Sequence, residues 1–200
     1  MNRLLLRGFD IRKAHLDAVA QAGLVDVLRP ILKAAPLIAP VTLRGQKMSV
    51  RMTSVGDVGW ITDAAGYRYE AHHPKGQPWP AIPERVLRIW QEVTRLDRQP
   101  DSCLVNYYGD GARMGLHQDK DEADFSWPVV SVSLGDDALF RIGNTTRGGK
   151  TESIWLNSGD VVVMGGPARL TYHGIDRIRF GSSRLLPKGG RINLTLRVVT

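Results

Sequence analysis

In the run His117-Gln118-Asp119 an imidazole and a carboxylate stand two residues apart. On an extended strand that spacing points both side chains to one face, so they can share a metal ion. A third ligand is available in His173, which closes a predicted strand over 169–173. Two histidines and one carboxylate on one side of a metal leave the opposite positions open. That is the facial arrangement of non-haem Fe(II) oxygenases, in which cosubstrate and O2 occupy the open positions. A zinc hydrolase can use the same donors, and a lone His-x-Asp is more often a hydrogen-bonded surface pair, so the triplet does not decide by itself.

The last strand narrows the choice. Over 191–199 the apolar residues Ile192, Leu194, Leu196 and Val198 alternate with Arg191, Asn193, Thr195 and Arg197. One face therefore carries two arginines and an asparagine. A solvated outer face is the plain explanation. The alternative is a cavity wall for a cosubstrate with a carboxylate at each end, which calls for two cationic forks. Arg191 and Arg197 lie roughly 20 Å apart along a strand, within which two inward-leaning side chains can clamp a five-carbon dicarboxylate.

The elements that must position these groups are legible in outline. Residues 102–107, 129–134, 138–142, 151–156, 160–164, 169–173 and 191–199 are short runs rich in β-branched and aromatic residues, most of them separated by glycine-containing turns. Such spacing predicts a sandwich or barrel and not parallel βαβ units. Ahead of them, Leu16, Val19, Leu24, Val27 and Ile31 recur at helical spacing until Pro36 and Pro40 close the segment. A second helix opens at Pro83 and Glu84 and carries the stripe Val86, Leu87, Trp90, Val93 and Leu96. The fold expected is mainly β (α+β): a jelly-roll-like β domain with supporting N-terminal helices and a β-rich, contact-making insert ahead of it. The division expected is 1–40 helical scaffold, 41–80 insert, and 81–200 supporting helix and jelly-roll core, packed as one compact domain.

Composition excludes little but tilts the partner class. The chain has 200 residues, 42% of them hydrophobic and 24% charged, which argues against intrinsic disorder. Its net charge of +7 favours anionic partners, nucleic acid first among them. The single cysteine, Cys103, sits in an apolar run and reads as a buried, inert thiol. Leu4-Leu5-Leu6 is too short for a signal-peptide core and no stretch could span a bilayer, so a cytoplasmic monomer without membrane contact is expected.

The runs Asn106-Tyr107-Tyr108, 116–122, 130–135, 159–163, Tyr172-His173-Gly174 and Arg191-x-Asn193-Leu194-Thr195-x-Arg197 together resemble the bacterial AlkB alkylation-repair dioxygenases, in order, over roughly residues 40–199. The resemblance implies a double-stranded β-helix (jelly roll) with residues 41–80 as its β-rich nucleotide-recognition lid, and one Fe(II) per chain on His117, Asp119 and His173. It implies 2-oxoglutarate held by Asn106, Tyr107, Tyr108, Arg191, Asn193 and Arg197, with Arg197 on the carboxylate beside the keto group and Arg191 on the distal one. It further implies a lid in which Trp60 stacks on a flipped-out base opposite His117, while Tyr67, Arg68 and Tyr69 meet the DNA backbone. Asp121 would favour bases made cationic by methylation, and Arg147 would contact substrate.

The reaction implied is oxidative demethylation of 1-methyladenine and 3-methylcytosine, preferably in single-stranded or locally flipped-out DNA, consuming O2 and 2-oxoglutarate and releasing formaldehyde, succinate and CO2. RNA or protein as substrate, a zinc hydrolase and a non-catalytic nucleic-acid binder remain as alternatives. Met164 stands where a well-known member carries tryptophan, which bears on packing or oxygen access near the iron.

Overall fold

The computed structural model describes residues 2–42 and 45–200. Its strands are β1 Asn2–Leu6, β2 Phe9–Lys13, β3 Val50–Gly56, β4 Gly59–Asp63, β5 Gly66–Glu70, β6 Ser102–Tyr108, β7 Met114–His117, β8 Val129–Gly135, β9 Asp137–Ile142, β10 Glu152–Leu156, β11 Val161–Met164, β12 His173–Arg179 and β13 Arg191–Arg197. The helices are α1 Ala18–Ala34 and α2 Glu84–Thr94. A seven-stranded sheet in the order β1-β2-β11-β8-β13-β6-β3 faces a four-stranded sheet in the order β10-β9-β12-β7. The pairings are antiparallel, as the short runs and turns predict, and the result is a jelly roll.

The centre of the large sheet is covered on both faces, whereas its edge strand β1 is exposed, which explains why the central β13 is buried along its whole length. Ile192, Leu194 and Leu196 pack outward with Val105 and Val132 against Leu24, Leu28, Val86 and Trp90 of the two helices. On the inner side, Phe9, Ile11, Val50, Leu104, Val129 and Val162 of the large sheet meet Phe140, Ile142, Leu156 and Ile175. The polar face of β13 is thus turned into the sandwich and not toward solvent. Each fully buried aliphatic side chain contributes about 1.5–3 kcal/mol of transfer free energy, and these two layers hold the cavity walls in register.

Three expectations change. The N-terminal region, expected as a helical scaffold, begins with the hairpin β1–β2, which extends the large sheet beside β11, and only then forms its helix α1. On α1 the buried face is Leu24, Val25, Leu28 and Ile31, whereas Val19 is exposed, because the helix starts only at Ala18 after its Asp17 cap. Residues 169–172 are not a strand: a short 3-10 turn at Gly166–Ala168 continues into hydrogen-bonded loop, and β12 begins at His173. There the hydrogen bond from the Thr171 hydroxyl to Pro167 O and the burial of Arg169 outweigh the β-propensity of the Leu-Thr-Tyr run. In the region expected as a lid, β3 pairs with β6 in the large sheet, and β4–β5 form a separate two-stranded hairpin.

Candidate active site

His117 ends β7 and His173 opens β12, and the two residues are direct cross-strand partners. That register sets their rings 4.7 Å apart between centroids. The approach depends on Gly174: a Cβ there would lie 2.5 Å from Met114 O and 2.6 Å from Gly115 O. Asp119, two residues beyond His117, brings its carboxylate to 3.8 Å from Nε2 of each histidine. One donor atom from each of the three lies within 4.8 Å of the others.

The protonation pattern suits metal binding. His117 Nδ1 lies 3.0 Å from Gly115 O and His173 Nδ1 lies 2.9 Å from Thr171 O. A carbonyl can only accept, so each Nδ1 carries a proton, and each Nε2 is the ring atom turned toward Asp119. Burial, reinforced by the neighbouring His117, pushes His173 down to about 4, so its ring is neutral near pH 7. Burial would raise the Asp119 carboxyl, but Arg197, His173 and His117 together outweigh it and hold the group below the usual carboxylate range.

Above the triad a cavity of about 490 Å³ is lined by Asn106, Tyr108, Arg191, Asn193, Thr195 and Arg197 on one side. Trp60, Tyr67, Tyr69, Asp121 and Arg147 line the other. Arg191 is 1% exposed, yet only Nη2 finds a partner, Ser133 Oγ at 3.0 Å; Nε and Nη1 have none. Arg197 donates through Nη2 to Asp119 Oδ1 at 2.9 Å and leaves Nη1 and Nε without hydrogen-bond partners, although Nε lies 3.3 Å from Glu122. Asn106 Oδ1 and Asp119 Oδ2 are likewise buried without partners. A buried guanidinium with open donors costs several kcal/mol unless an anion completes it. The orphaned donors therefore fit a dicarboxylate, and the free Asp119 oxygen with two imidazole nitrogens fits a divalent metal.

Two expected residues are not brought to the cavity. Tyr107 lies on the opposite face of β6 from Asn106 and Tyr108; its hydroxyl donates to Gly189 O and its ring lies under Arg51. Arg68 points away from Tyr67 and Tyr69 on β5 and is spent on Asp63 and Glu70 within its own hairpin. In both cases strand alternation turns the middle residue of a triplet outward. Trp60 and Tyr67 both line the cavity but stack on each other, with centroids 5.5 Å apart and planes 15° apart. The Trp60 indole donates to Asp121 Oδ2 at 2.8 Å.

The sequence reading missed a buried hub. Glu122 accepts from Tyr69 at 2.6 Å and from Arg169 at 2.9 Å, and lies 3.3 Å from Arg197 Nε. It joins the lid hairpin to the arginine beside Asp119. In sequence it stands at the end of the motif run 116–122 and within the acidic stretch 119–124, where a solvated loop is the default reading. Gln118, between the two metal-competent residues, is used as well: its amide donates to Leu170 O at 2.6 Å and Thr145 O at 3.2 Å. Met164 is buried and lines the cavity near the triad. Cys103 is fully buried and its thiol is pushed up to about 12, in keeping with an inert role.

A profile of the 2OG-Fe(II) oxygenase superfamily matches residues 12–197, and the chain belongs to that superfamily. It is an Fe(II)- and 2-oxoglutarate-dependent dioxygenase with the AlkB resemblance borne out. An alpha-ketoglutarate-dependent dioxygenase AlkB homolog of Caulobacter vibrioides is 53% identical over 191 residues, covering 95% of this chain and 87% of that one. The alpha-ketoglutarate-dependent dioxygenase AlkB of Escherichia coli K12 is 40% identical over 192 residues, covering 94% and 88%. The solved structure of OsALKBH1 superposes with a TM-score of 0.78 at 31% identity, covering 98% of this chain and 99% of that one.

Proposed function

We propose that the enzyme removes N-methyl groups from 1-methyladenine and 3-methylcytosine in single-stranded or locally flipped-out DNA, as a cytoplasmic monomer. The observation that carries this reading is the convergence, on one cavity, of the His-Asp-His cluster, the open donors of Arg191 and Arg197, and the aromatic-acidic pair Trp60 and Asp121. No described helix is long and apolar enough to cross a membrane.

In this reading His117, Asp119 and His173 hold Fe(II), and Asn106, Tyr108, Arg191, Asn193 and Arg197 hold 2-oxoglutarate. When bound, iron, cosubstrate and O2 supply oxidation of an unactivated C–H bond, which the side chains alone cannot perform. Arg191 meets the distal carboxylate with donors already aimed and desolvated, so little reorganisation is needed on binding. Arg197 serves two partners, holding Asp119 in orientation while its free Nη1 receives the carboxylate beside the keto group. Buried Tyr108, raised to about 12, remains a neutral hydroxyl donor throughout.

On the lid side, the β4–β5 hairpin covers the methylated base. Trp60 supplies a π-face, and Asp121 supplies a negative charge that favours a base made cationic by methylation over a neutral one. Tyr67 and Tyr69 flank the slot, and Arg147 reaches it from the opposite rim. Basic residues attract the phosphate backbone, so affinity should fall as salt rises. Residues 1–40 act as scaffold.

The test is competition among methylated single-stranded DNA, duplex DNA and RNA with Fe(II), ascorbate and 2-oxoglutarate present, read as formaldehyde. Preferential release from single-stranded DNA is expected. Activity with zinc and none with iron would refute the reading, and preference for RNA would redirect the substrate assignment.

A further inference from the structure

The tip of the β1–β2 hairpin reaches the substrate side of the molecule. The side chain of Arg7 there meets both ends of the loop between β9 and β10. Its Nη1 donates to Gly143 O at 2.7 Å and to Lys150 O at 3.0 Å, and lies 3.4 Å from Ile142 O. Nη2 donates to Asn144 Oδ1 at 2.8 Å, and Nε lies 3.4 Å from Glu152 at the start of β10. One planar fork thus clasps the base of the whole loop.

The loop it clasps carries Arg147, whose guanidinium lies 5.4 Å from the ring centroid of Tyr172, next to His173, and which lines the cavity. Gly148 and Gly149 both have positive φ, and the loop's own cross-bond runs from the Asn144 amide to Gly148 O at 2.6 Å. Gln118 restrains it from within through Thr145 O, and Arg7 does so from outside. The turn itself gives no reason for arginine. Arg7 and Gly8 both adopt positive φ, +50° and +86°, a two-residue hairpin turn that favours Asn or Gly at the first place.

We infer that Arg7 is a positioning residue for substrate, holding the 143–151 loop so that Arg147 stands over the cavity. The inference rests on the proposed substrate role of Arg147. It also gives the N-terminal hairpin a function beyond extending the sheet.

Arg7→Gly removes the fork at a turn position that glycine adopts without strain, so the variant is expected to fold, with a modest fall in Tm. Hydrogen exchange across 143–150 should quicken while β7 and β12 keep their protection. Equilibrium binding of a 1-methyladenine single-stranded oligonucleotide, read by anisotropy, should weaken about fivefold, as should its KM, with kcat and the KM for 2-oxoglutarate within about twofold. Arg7→Lys should restore part of the loss. In an Arg147→Ala background the same change should have almost no further effect on oligonucleotide affinity.

Unchanged exchange at 143–150, or a full fivefold loss on top of Arg147→Ala, would overturn the inference. Should Arg147→Ala alone leave oligonucleotide binding intact, the substrate reading of Arg147 fails, and faster exchange in Arg7→Gly would still uphold Arg7 as the anchor of the loop.

Discussion

The two walls of the cavity are built on opposite terms. On the β13 side the polar groups are buried and incompletely paired: Arg191 and Arg197 each keep two nitrogens without a hydrogen-bond partner, and Asn106 and Asp119 each keep one oxygen open. On the lid side the groups have satisfied one another. Trp60 is bonded to Asp121 and stacked on Tyr67, and Arg68 is closed onto Asp63 and Glu70. The first wall is set for a ligand before it arrives, and the second must trade existing contacts for new ones. Binding energy on the β13 side is therefore large and all-or-none, whereas on the lid side it is a difference between two satisfied states.

Substitutions can break that contrast, and the largest effect belongs to the metal cluster. Asp119→Ala removes the one carboxylate facing both imidazoles and leaves Arg197 without its partner. Formaldehyde release should fall by about a thousandfold or more, while oligonucleotide binding by anisotropy stays within about threefold. Retained turnover would mean the metal lies elsewhere.

Next comes Arg191→Met. The affinity for 2-oxoglutarate, measured by calorimetry, should drop about a hundredfold, since a buried charge-assisted pair is worth about 2–3 kcal/mol or more. The same variant without cosubstrate should melt higher than the wild type, because an incompletely paired buried cation is replaced by an apolar chain. A lower Tm would show that Arg191 is already well compensated in the empty protein.

Lid substitutions should be milder. Trp60→Ala should raise the oligonucleotide KM about tenfold, in line with the stacking lost per base, with 2-oxoglutarate affinity unchanged. Asp121→Asn keeps an oxygen for the Trp60 indole and removes only the charge. Its expected effect is a threefold to tenfold loss, roughly, in preference for cationic over neutral methylated bases, checked by paired kcat/KM measurements. An equal loss for both base types would assign Asp121 to holding Trp60 and not to reading charge.

The same contrast explains what the sequence made legible. The cosubstrate wall is one strand with period two, and Arg191, Asn193, Thr195 and Arg197 announce their shared face directly. His117 and Asp119 do the same over one short run. His173 was assigned to the wrong end of a strand, because Leu170-Thr171-Tyr172 has strand propensity but is held in a turn by contacts from distant Trp127, Asp119 and Glu122 to Arg169. The Glu122 hub was invisible for a related reason: burial of a carboxylate in an acidic run depends on two arginines far along the chain. Leu4-Leu5-Leu6 gave no hint of a hairpin, since three apolar residues flanked by arginines fit neither a helix nor a strand pattern of useful length.

One metal and one dicarboxylate must meet at the same place in the cavity. An anaerobic titration of the purified chain with Fe(II) and then 2-oxoglutarate, followed by charge-transfer absorption, measures this directly. The expected result is a visible band that saturates at one iron and one 2-oxoglutarate per chain and is absent in Asp119→Ala. Binding of 2-oxoglutarate with no band, or an undiminished band in Asp119→Ala, would contradict it.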